Sequence, residues 1–325
     1  MSKNSCLVSW PATSSDFSKL EDFFNSHDIV LKKNPLGRNL KEEELIPLLE
    51  AIDGTIAGIE PYTRRVFESA KRLKVISRVG VGYENIDLKA AAENNVIITL
   101  TPIPELAVSV AEEAITLILT LLRKTIERDR MIRQGIWDLN VQIGETYTTT
   151  LGILGLGRIG AEVARRASTF GMKLQYHDKI RRYDLESELG IKYLSFDELL
   201  SQSEVVTIHV PSSMETRKLI GREELEKMKR DSYLINTARG DIVDESALFE
   251  MLDSGRLAGA GLGVYSKEPP SYGDPFYKLG QRLPSVVLLP HRTMGQATKE
   301  RMLIAAANEL LAVLEGRPPN YQLKL

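Results

Sequence analysis

Residues 151–160 read Leu151-Gly152-Ile153-Leu154-Gly155-Leu156-Gly157-Arg158-Ile159-Gly160. An apolar, strand-like run enters a GxGxxG turn, and a helix is expected to begin near Arg158. In that context each glycine has a task. Gly155 permits the tight turn, Gly157 lets the backbone approach a pyrophosphate, and Gly160 lets the helix pack close to the strand. The helix N-terminus then aims N–H groups at the anion. A bare GxGxxG also occurs as a tight turn without a ligand. Asp178 argues for the ligand, because it closes the next strand-like run, Lys173 to Tyr176, where a carboxylate accepts hydrogen bonds from the adenosine ribose hydroxyls. The plainer role for Asp178 is a solvated turn residue. Its charge repels a 2′-phosphate, so NAD is expected rather than NADP. Lys179, Arg181 and Arg182 follow at once and partly offset that repulsion.

Outward from this turn the same β/α rhythm continues in both directions. Downstream, Val205 to Val210, Tyr233 to Thr237, Ala258 to Val264 and Val286 to Leu289 are further strand-like runs. Upstream, Cys6 to Trp10, Ile29 to Leu31, Thr55 to Ile59, Val75 to Val79 and Val96 to Leu100 alternate with helix-like segments at Phe17 to Asn25, Lys41 to Ile52 and Leu88 to Asn94. Such alternation predicts βαβ units and parallel sheets. Between the two series lies Pro104 to Gly135, expected to be one long, domain-crossing helix, buried through its first half. A final amphipathic helix, Ala297 to Glu315, is closed by Gly316 and Pro318 and could pack on either domain. The fold class is therefore α/β, with two doubly wound parallel sheets.

A chain of 325 residues exceeds what one hydrophobic core usually serves, which agrees with two domains. Apolar residues at 43% and charged residues at 26% describe a globular protein rather than a disordered or membrane-spanning one. Basic and acidic residues number 42 and 44, so no broad positive field exists to hold a nucleic acid. The single cysteine, Cys6, cannot form an internal disulfide and fits a reducing compartment. Met1 to Trp10 lacks a basic segment followed by a long apolar run, and Ala114 to Leu122 is too short to span a bilayer. A cytoplasmic protein with no membrane partner is expected. No spacing of His, Cys or carboxylates suggests a metal site.

The chain has four histidines. His27 and His177 read as surface or loop residues, whereas His209 and His291 each end a strand-like run, at the sheet edge where open α/β folds bind ligands. Asn236-Thr237-Ala238-Arg239-Gly240, Lys267-Glu268-Pro269 and Pro290-His291 bring reactive types to that same edge. Hydride transfer to a 2-keto acid needs a cation to hold the carboxylate and polarise the carbonyl, and a proton donor for the alkoxide. Arg239 supplies the first and His291 the second, while Glu268 favours the protonated ring and orients it. A surface ion pair between Arg239 and Glu268, with His291 as a structural cap, is the alternative that spacing alone leaves open.

These residues resemble the D-isomer-specific 2-hydroxyacid dehydrogenases, which include D-3-phosphoglycerate, glycerate, hydroxypyruvate and formate dehydrogenases. The likeness runs almost end to end, through Arg78-Val79-Gly80-Val81-Gly82-Tyr83-Glu84-Asn85-Ile86-Asp87, Gly155 to Gly160, Ile235 to Asp241, Glu268-Pro269 and Pro290-His291. The resemblance implies a discontinuous, flavodoxin-like substrate domain (1–103 and 292–325) around a Rossmann NAD-binding domain (104–291), with the active site in the cleft between them. It implies that Arg239 binds the substrate, that His291 is the acid/base paired with Glu268, and that the N–H groups of Val81 and Gly82 grip the carboxylate. Toward NAD it implies Arg158 and Ile159 at the pyrophosphate, Asp178 at the ribose, His209 with Pro211 beside the adenosine, and Thr216, Thr237 and Ala238 completing that wall. It also implies a homodimer whose interface includes residues 104–145.

Two departures stand out. Where many relatives read Ala-Gly-Leu-Asp-Val, this chain has Ala260-Gly261-Leu262-Gly263-Val264, so the aspartate that touches the nicotinamide amide is missing. After His291 comes Arg292-Thr293-Met294-Gly295 in place of a small Gly-Ser or Gly-Gly pair and with altered spacing, so Arg292 could add a second cation near an anionic substrate. Some relatives place an arginine for a substrate phosphate where this chain has Ala57-Gly58-Ile59-Glu60, which weakens 3-phosphoglycerate, although Arg64, Arg65 or Arg292 could substitute. The end at Leu325 leads to no expectation of a regulatory domain. A corepressor-like protein that senses NAD(H) through the same fold is the rival from another class; Gly263 favours it, and the Arg239, Glu268 and His291 set favours the enzyme.

Overall fold

The computed structural model describes residues 3–11, 14–271 and 273–324. It divides into two compact units, one of residues 1–106 with 294–325 and one of residues 107–293.

In the first unit the elements run β1 (Ser5–Val8), α1 (Ser14–Ser26), β2 (Val30–Lys33), α2 (Glu42–Leu49), β3 (Gly54–Ala57), α3 (Arg64–Ser69), β4 (Val75–Arg78), α4 (Leu88–Glu93) and β5 (Ile97–Thr99). The five strands are parallel in the order β2-β1-β3-β4-β5, a doubly wound arrangement whose order reverses at β1. Alternate strand residues face opposite sides. Leu7, Ile76 and Ile98 join Leu45, Leu49, Val66 and Phe67 in one core. Cys6, Val8, Ile56 and Val75 join Leu20, Phe24, Met302, Ala306 and Leu310 in the other. The last of these residues lie on α13 (Gln296–Leu314), so the C-terminal helix packs on this sheet. The loop after β4 is pinned by Thr101, whose hydroxyl accepts from the Gly80 N–H at 2.7 Å while its own N–H donates to the Gly80 carbonyl at 3.0 Å. That loop leaves Val81 exposed and Gly82 buried.

The segment expected to be one long helix is two. α5 (Pro104–Leu122) ends before Lys124, which adopts a left-handed φ of 46°, and α6 (Thr125–Arg133) follows. The cause is packing. α5 buries Ala111, Ala114, Leu117, Ile118 and Leu121 against the second unit's core, whereas α6 has no buried residue to hold it in line. Gly144 N–H then donates to the Leu122 carbonyl at 2.8 Å, serving a group that the broken helix leaves without its usual partner.

The second unit continues β6 (Thr150–Leu154), α7 (Arg158–Thr169), β7 (Lys173–His177), α8 (Tyr183–Leu189), β8 (Lys192–Tyr193), α9 (Phe196–Gln202), β9 (Val205–Ile208), α10 (Arg222–Lys227), β10 (Tyr233–Asn236), α11 (Glu245–Asp253), β11 (Gly259–Leu262), α12 (Pro275–Arg282) and β12 (Val286–Leu288). Seven parallel strands lie in the order β12-β11-β10-β9-β6-β7-β8. The order reverses between β6 and β9, so the glycine turn that follows β6 sits at the switch point where such sheets bind ligands. α5, α7 and α8 cover one face and α9 to α12 the other. Among the described residues no helix is long and apolar enough to cross a membrane.

Gly160 is the tightest point of this design. A Cβ built there would lie 2.1 Å from the Gly155 carbonyl oxygen, a backbone atom that cannot swing aside. Gly160→Ala is expected to destabilise the chain by about 1–3 kcal/mol through overpacking, read as a lower urea midpoint. An unchanged midpoint would show that α7 does not need this close approach to β6.

Candidate active site

The glycine turn is stitched to the strands on either side of β6. Gly155 N–H donates to the His177 carbonyl at the end of β7 (2.8 Å), and His209 N–H, just past β9, donates to the Leu154 carbonyl (2.7 Å). Gly155 has a φ of 94°, and a Cβ on it would meet the His209 backbone at 2.8 Å, so both conformation and contact require glycine. Gly157 differs, since a Cβ there would meet nothing within 4 Å. The protein's own packing does not demand glycine at 157; the open space over its backbone, at the N-cap of α7, fits an approaching pyrophosphate. Arg158 is exposed at the start of α7, and Ile159 is half-buried against the core.

Asp178 follows β7 directly. Its carboxylate accepts from Leu156 N–H at 2.6 Å and Ile180 N–H at 3.1 Å, which holds it against the glycine turn. The three cations after it are each paired with another carboxylate. Lys179 pairs with Glu215, Arg181 grips Glu186 through two bonds of 2.8 and 2.9 Å, and Arg182 grips Asp184 at 2.9 and 2.6 Å while also bonding the Leu156 carbonyl. The offset that these cations were expected to provide for a 2′-phosphate is thereby reduced.

His209 is a neutral residue. Burial pushes its imidazole down to about 3, and its Nε2 lies 2.9 Å from the Thr207 hydroxyl. Thr216 spends its hydroxyl on a turn, donating to the Pro211 carbonyl at 2.6 Å and accepting from Ser213 N–H at 2.8 Å. Ala238 N–H donates to the Asn236 side chain at 3.0 Å. Thr237 is buried, with a hydroxyl that has no hydrogen-bond partner. His27 is an exposed residue, whereas His177 is less simply a loop residue than its sequence suggests: it ends β7, and its Nδ1 meets the Leu194 carbonyl at 2.9 Å.

Arg239, Glu268 and His291 come together at the carboxyl edge of the same sheet, after β10, β11 and β12. His291 Nδ1 lies 2.7 Å from Glu268 Oε2, so Nδ1–H donates to the carboxylate and Nε2 is left to face outward. Burial alone would push the Glu268 carboxyl up. The hydrogen bond and charge of His291, the Tyr265 N–H and the Arg239 guanidinium outweigh it, and the carboxyl ends below its ordinary range. Val81 and Gly82 belong to the first unit.

Two supporting roles escaped the sequence reading. Tyr265 N–H donates to Glu268 Oε1 at 3.0 Å, and the Tyr265 hydroxyl donates to the Leu289 carbonyl at 2.9 Å. One residue thus ties the loop bearing Glu268 to the strand leading to His291. Asn236 braces the other partner, since its amide donates to the Arg239 carbonyl at 2.8 Å. Gly240 lets the two loops touch, because a Cβ there would lie 1.9 Å from the Tyr265 carbonyl carbon. Among the described residues no group of three or more His, Cys, Asp or Glu side chains is placed to hold a metal ion.

The family model for the NAD binding domain of D-isomer specific 2-hydroxyacid dehydrogenases matches residues 115–293. The chain belongs to the D-isomer-specific 2-hydroxyacid dehydrogenase family. A glyoxylate reductase of Korarchaeum cryptofilum is 42% identical over 311 residues, covering 93% of this chain and 91% of the relative. A D-3-phosphoglycerate dehydrogenase of Archaeoglobus fulgidus is 38% identical over 299 residues, which are 89% of this chain and 55% of that longer protein. Among solved structures, the TT0316 protein from Thermus thermophilus matches with a TM-score of 0.88 at 36% identity, over 98% of this chain and 100% of the other. This dehydrogenase is an NAD-dependent oxidoreductase that acts on the CH–OH group of small 2-hydroxy acids.

The depressed Glu268 carboxyl fixes the sign of a pH effect. Its ionised form stabilises the fold in full above the ordinary glutamate value of about 4.3, and that contribution is lost as pH falls through the lower value of the folded state. Glu268→Gln is expected to be less stable than wild type by roughly 1 kcal/mol near neutral pH, with the gap closing in acid. Urea unfolding across pH checks this, and a gap that widens toward acid would contradict the ionised pair.

Proposed function

We propose that this dehydrogenase reduces a small, unphosphorylated 2-keto acid of the glyoxylate or hydroxypyruvate type to its D-2-hydroxy acid, and catalyses the reverse oxidation. The carrying observation is the 2.7 Å contact between His291 and Glu268 beside Arg239. Residues Gly155, Gly157, Arg158, Ile159, Gly160 and Asp178, with the wall of His209, Pro211, Thr216, Thr237 and Ala238, would hold the dinucleotide, which when bound supplies or accepts the hydride at the substrate's C2.

Arg239 holds the substrate carboxylate through its planar fork and draws charge toward the carbonyl oxygen. His291 has committed Nδ1 to Glu268, so Nε2 is the nitrogen that delivers a proton to the forming alkoxide. Glu268 balances the charge on the ring while the proton is held there. In the oxidative direction Nε2 takes the hydroxyl proton.

Three features support the finer choices. Asp178, held by two backbone amides with its neighbouring cations paired, favours NAD over NADP. The stretch that some relatives use for a phosphate-binding arginine carries Glu60, fully buried and bonded to Gly58 N–H at 2.7 Å, which favours an unphosphorylated acid. The arm after α6 exposes Trp137 at 78% and Leu139 at 82%, with Ile132 and Ile136 nearby in sequence, an apolar surface suited to a homodimer interface. A cytoplasmic location fits a chain whose one cysteine, Cys6, is free and buried.

His291→Ala is expected to lower kcat for glyoxylate reduction by about 10²–10⁴-fold while leaving NADH affinity unchanged. NADH binding without turnover of any 2-keto acid by the wild-type chain would favour the sensor instead. Leu139→Lys is expected to convert a dimer to a monomer in sedimentation velocity, and a wild type that already sediments as a monomer would refute the interface.

A further inference from the structure

Gly263 follows β11 at the sheet edge that carries Arg239, Glu268 and His291, and its N–H donates to the Asn236 carbonyl at 2.9 Å. The space beside it is already occupied. A Cβ built on Gly263 would lie 2.5 Å from Glu113 Oε1 and 3.5 Å from the Thr237 methyl. Glu113 projects from the polar side of α5, and sequence reading alone attaches no task to it. Its Oε1 is buried without a hydrogen-bond partner, and so is the Thr237 hydroxyl. An unsatisfied carboxylate oxygen thus lies against one side-chain-free position, and the residue whose methyl touches that position, Thr237, carries an unsatisfied hydroxyl.

Leaving such groups unpaired inside a protein is costly, and they recur where a ligand completes them. The missing partner must offer an N–H to the carboxylate and a polar atom to the hydroxyl. A primary carboxamide does both, since its NH₂ donates and its carbonyl accepts. We propose that Glu113, with Thr237, receives the carboxamide of the nicotinamide ring, so that a carboxylate borne on α5 does from across the gap what an aspartate on the strand at position 263 would otherwise do. This rests on the dinucleotide reading of the glycine turn above.

The chemistry is consistent with that placement. Burial pushes the Glu113 carboxyl above its ordinary value, with the charge of His291 opposing, so the group sits near enough to the reacting edge to sense the imidazole. Gly263 is then the position that leaves room for this carboxylate rather than a loss, since a side chain there would make the Glu113 carboxylate move.

The test compares binding of NADH, ADP-ribose and the reduced acetylpyridine analogue of NADH, in which a methyl group replaces the NH₂. Wild type is expected to prefer NADH over the acetyl analogue. In Glu113→Leu, NADH affinity should fall by about tenfold, the order expected for a hydrogen bond to a charged group, ADP-ribose affinity should stay unchanged, and the preference over the acetyl analogue should vanish. Gly263→Asp added to Glu113→Leu should restore both NADH affinity and the preference, whereas Gly263→Asp alone should not raise affinity. Equal losses for NADH and ADP-ribose, or no loss for NADH, would overturn the role of Glu113 and leave the dinucleotide site standing. A wild-type chain that binds neither NADH nor ADP-ribose would overturn the site and this role together.

Discussion

The hydrogen bond from His291 Nδ1 to Glu268 is the contact on which the proposed chemistry of this chain depends. An imidazole alone at a sheet edge is free to rotate and to carry its neutral-state proton on either nitrogen. Glu268 removes that freedom, and Glu268 is itself held by the Tyr265 N–H. Tyr265 reaches onward to the Leu289 carbonyl, so strand β12 and the loop after β11 are locked to one another before any substrate arrives. Arg239 enters from β10 on a turn braced by Asn236. The three groups are therefore carried on loops that follow adjacent strands of one sheet and brace one another, which gives the precision that the proposed proton transfer and carboxylate binding require.

The same economy governs the cofactor side. Each element of the dinucleotide reading lies at the carboxyl end of a strand near the switch point: the glycine turn after β6, Asp178 after β7 and His209 after β9. Backbone hydrogen bonds from Gly155 to His177 and from His209 to Leu154 join these ends to each other. Gly155 and Gly160 are glycines because the backbone leaves no room for a side chain, while Gly157 is one where the room is kept for something else. Steric need and ligand need are thereby separable within a single motif.

Much of this was legible in the sequence, for identifiable reasons. Strands buried on both faces leave uninterrupted apolar runs, and the run that enters the glycine turn is β6. The glycine turn announces itself because its demands are local. Other features are invisible along the chain. The break after Leu122 depends on which residues find a core to pack against, since α6 buries none and sets only the half-buried Ile126 against it. The two-residue β8 is too short for any periodicity to register. Tyr265 and Asn236 act through contacts with carbonyl groups that no spacing reveals. Lys179, Arg181 and Arg182 read as cations facing a ribose until their carboxylate partners are seen. Gly263 reads as a missing function until Glu113, 150 positions earlier in the chain, is found against it.

The most direct measurement of the central contact is the ring nitrogen NMR spectrum of the four histidines, with His291 assigned by its absence in a variant lacking it. In the neutral ring, His291 is expected to carry its proton on Nδ1, donated to Glu268, with an unprotonated, pyridine-like Nε2. A neutral His291 protonated on Nε2 would mean that the pair does not form in solution, and the assignment of Nε2 as the nitrogen that exchanges a proton with substrate would fall with it.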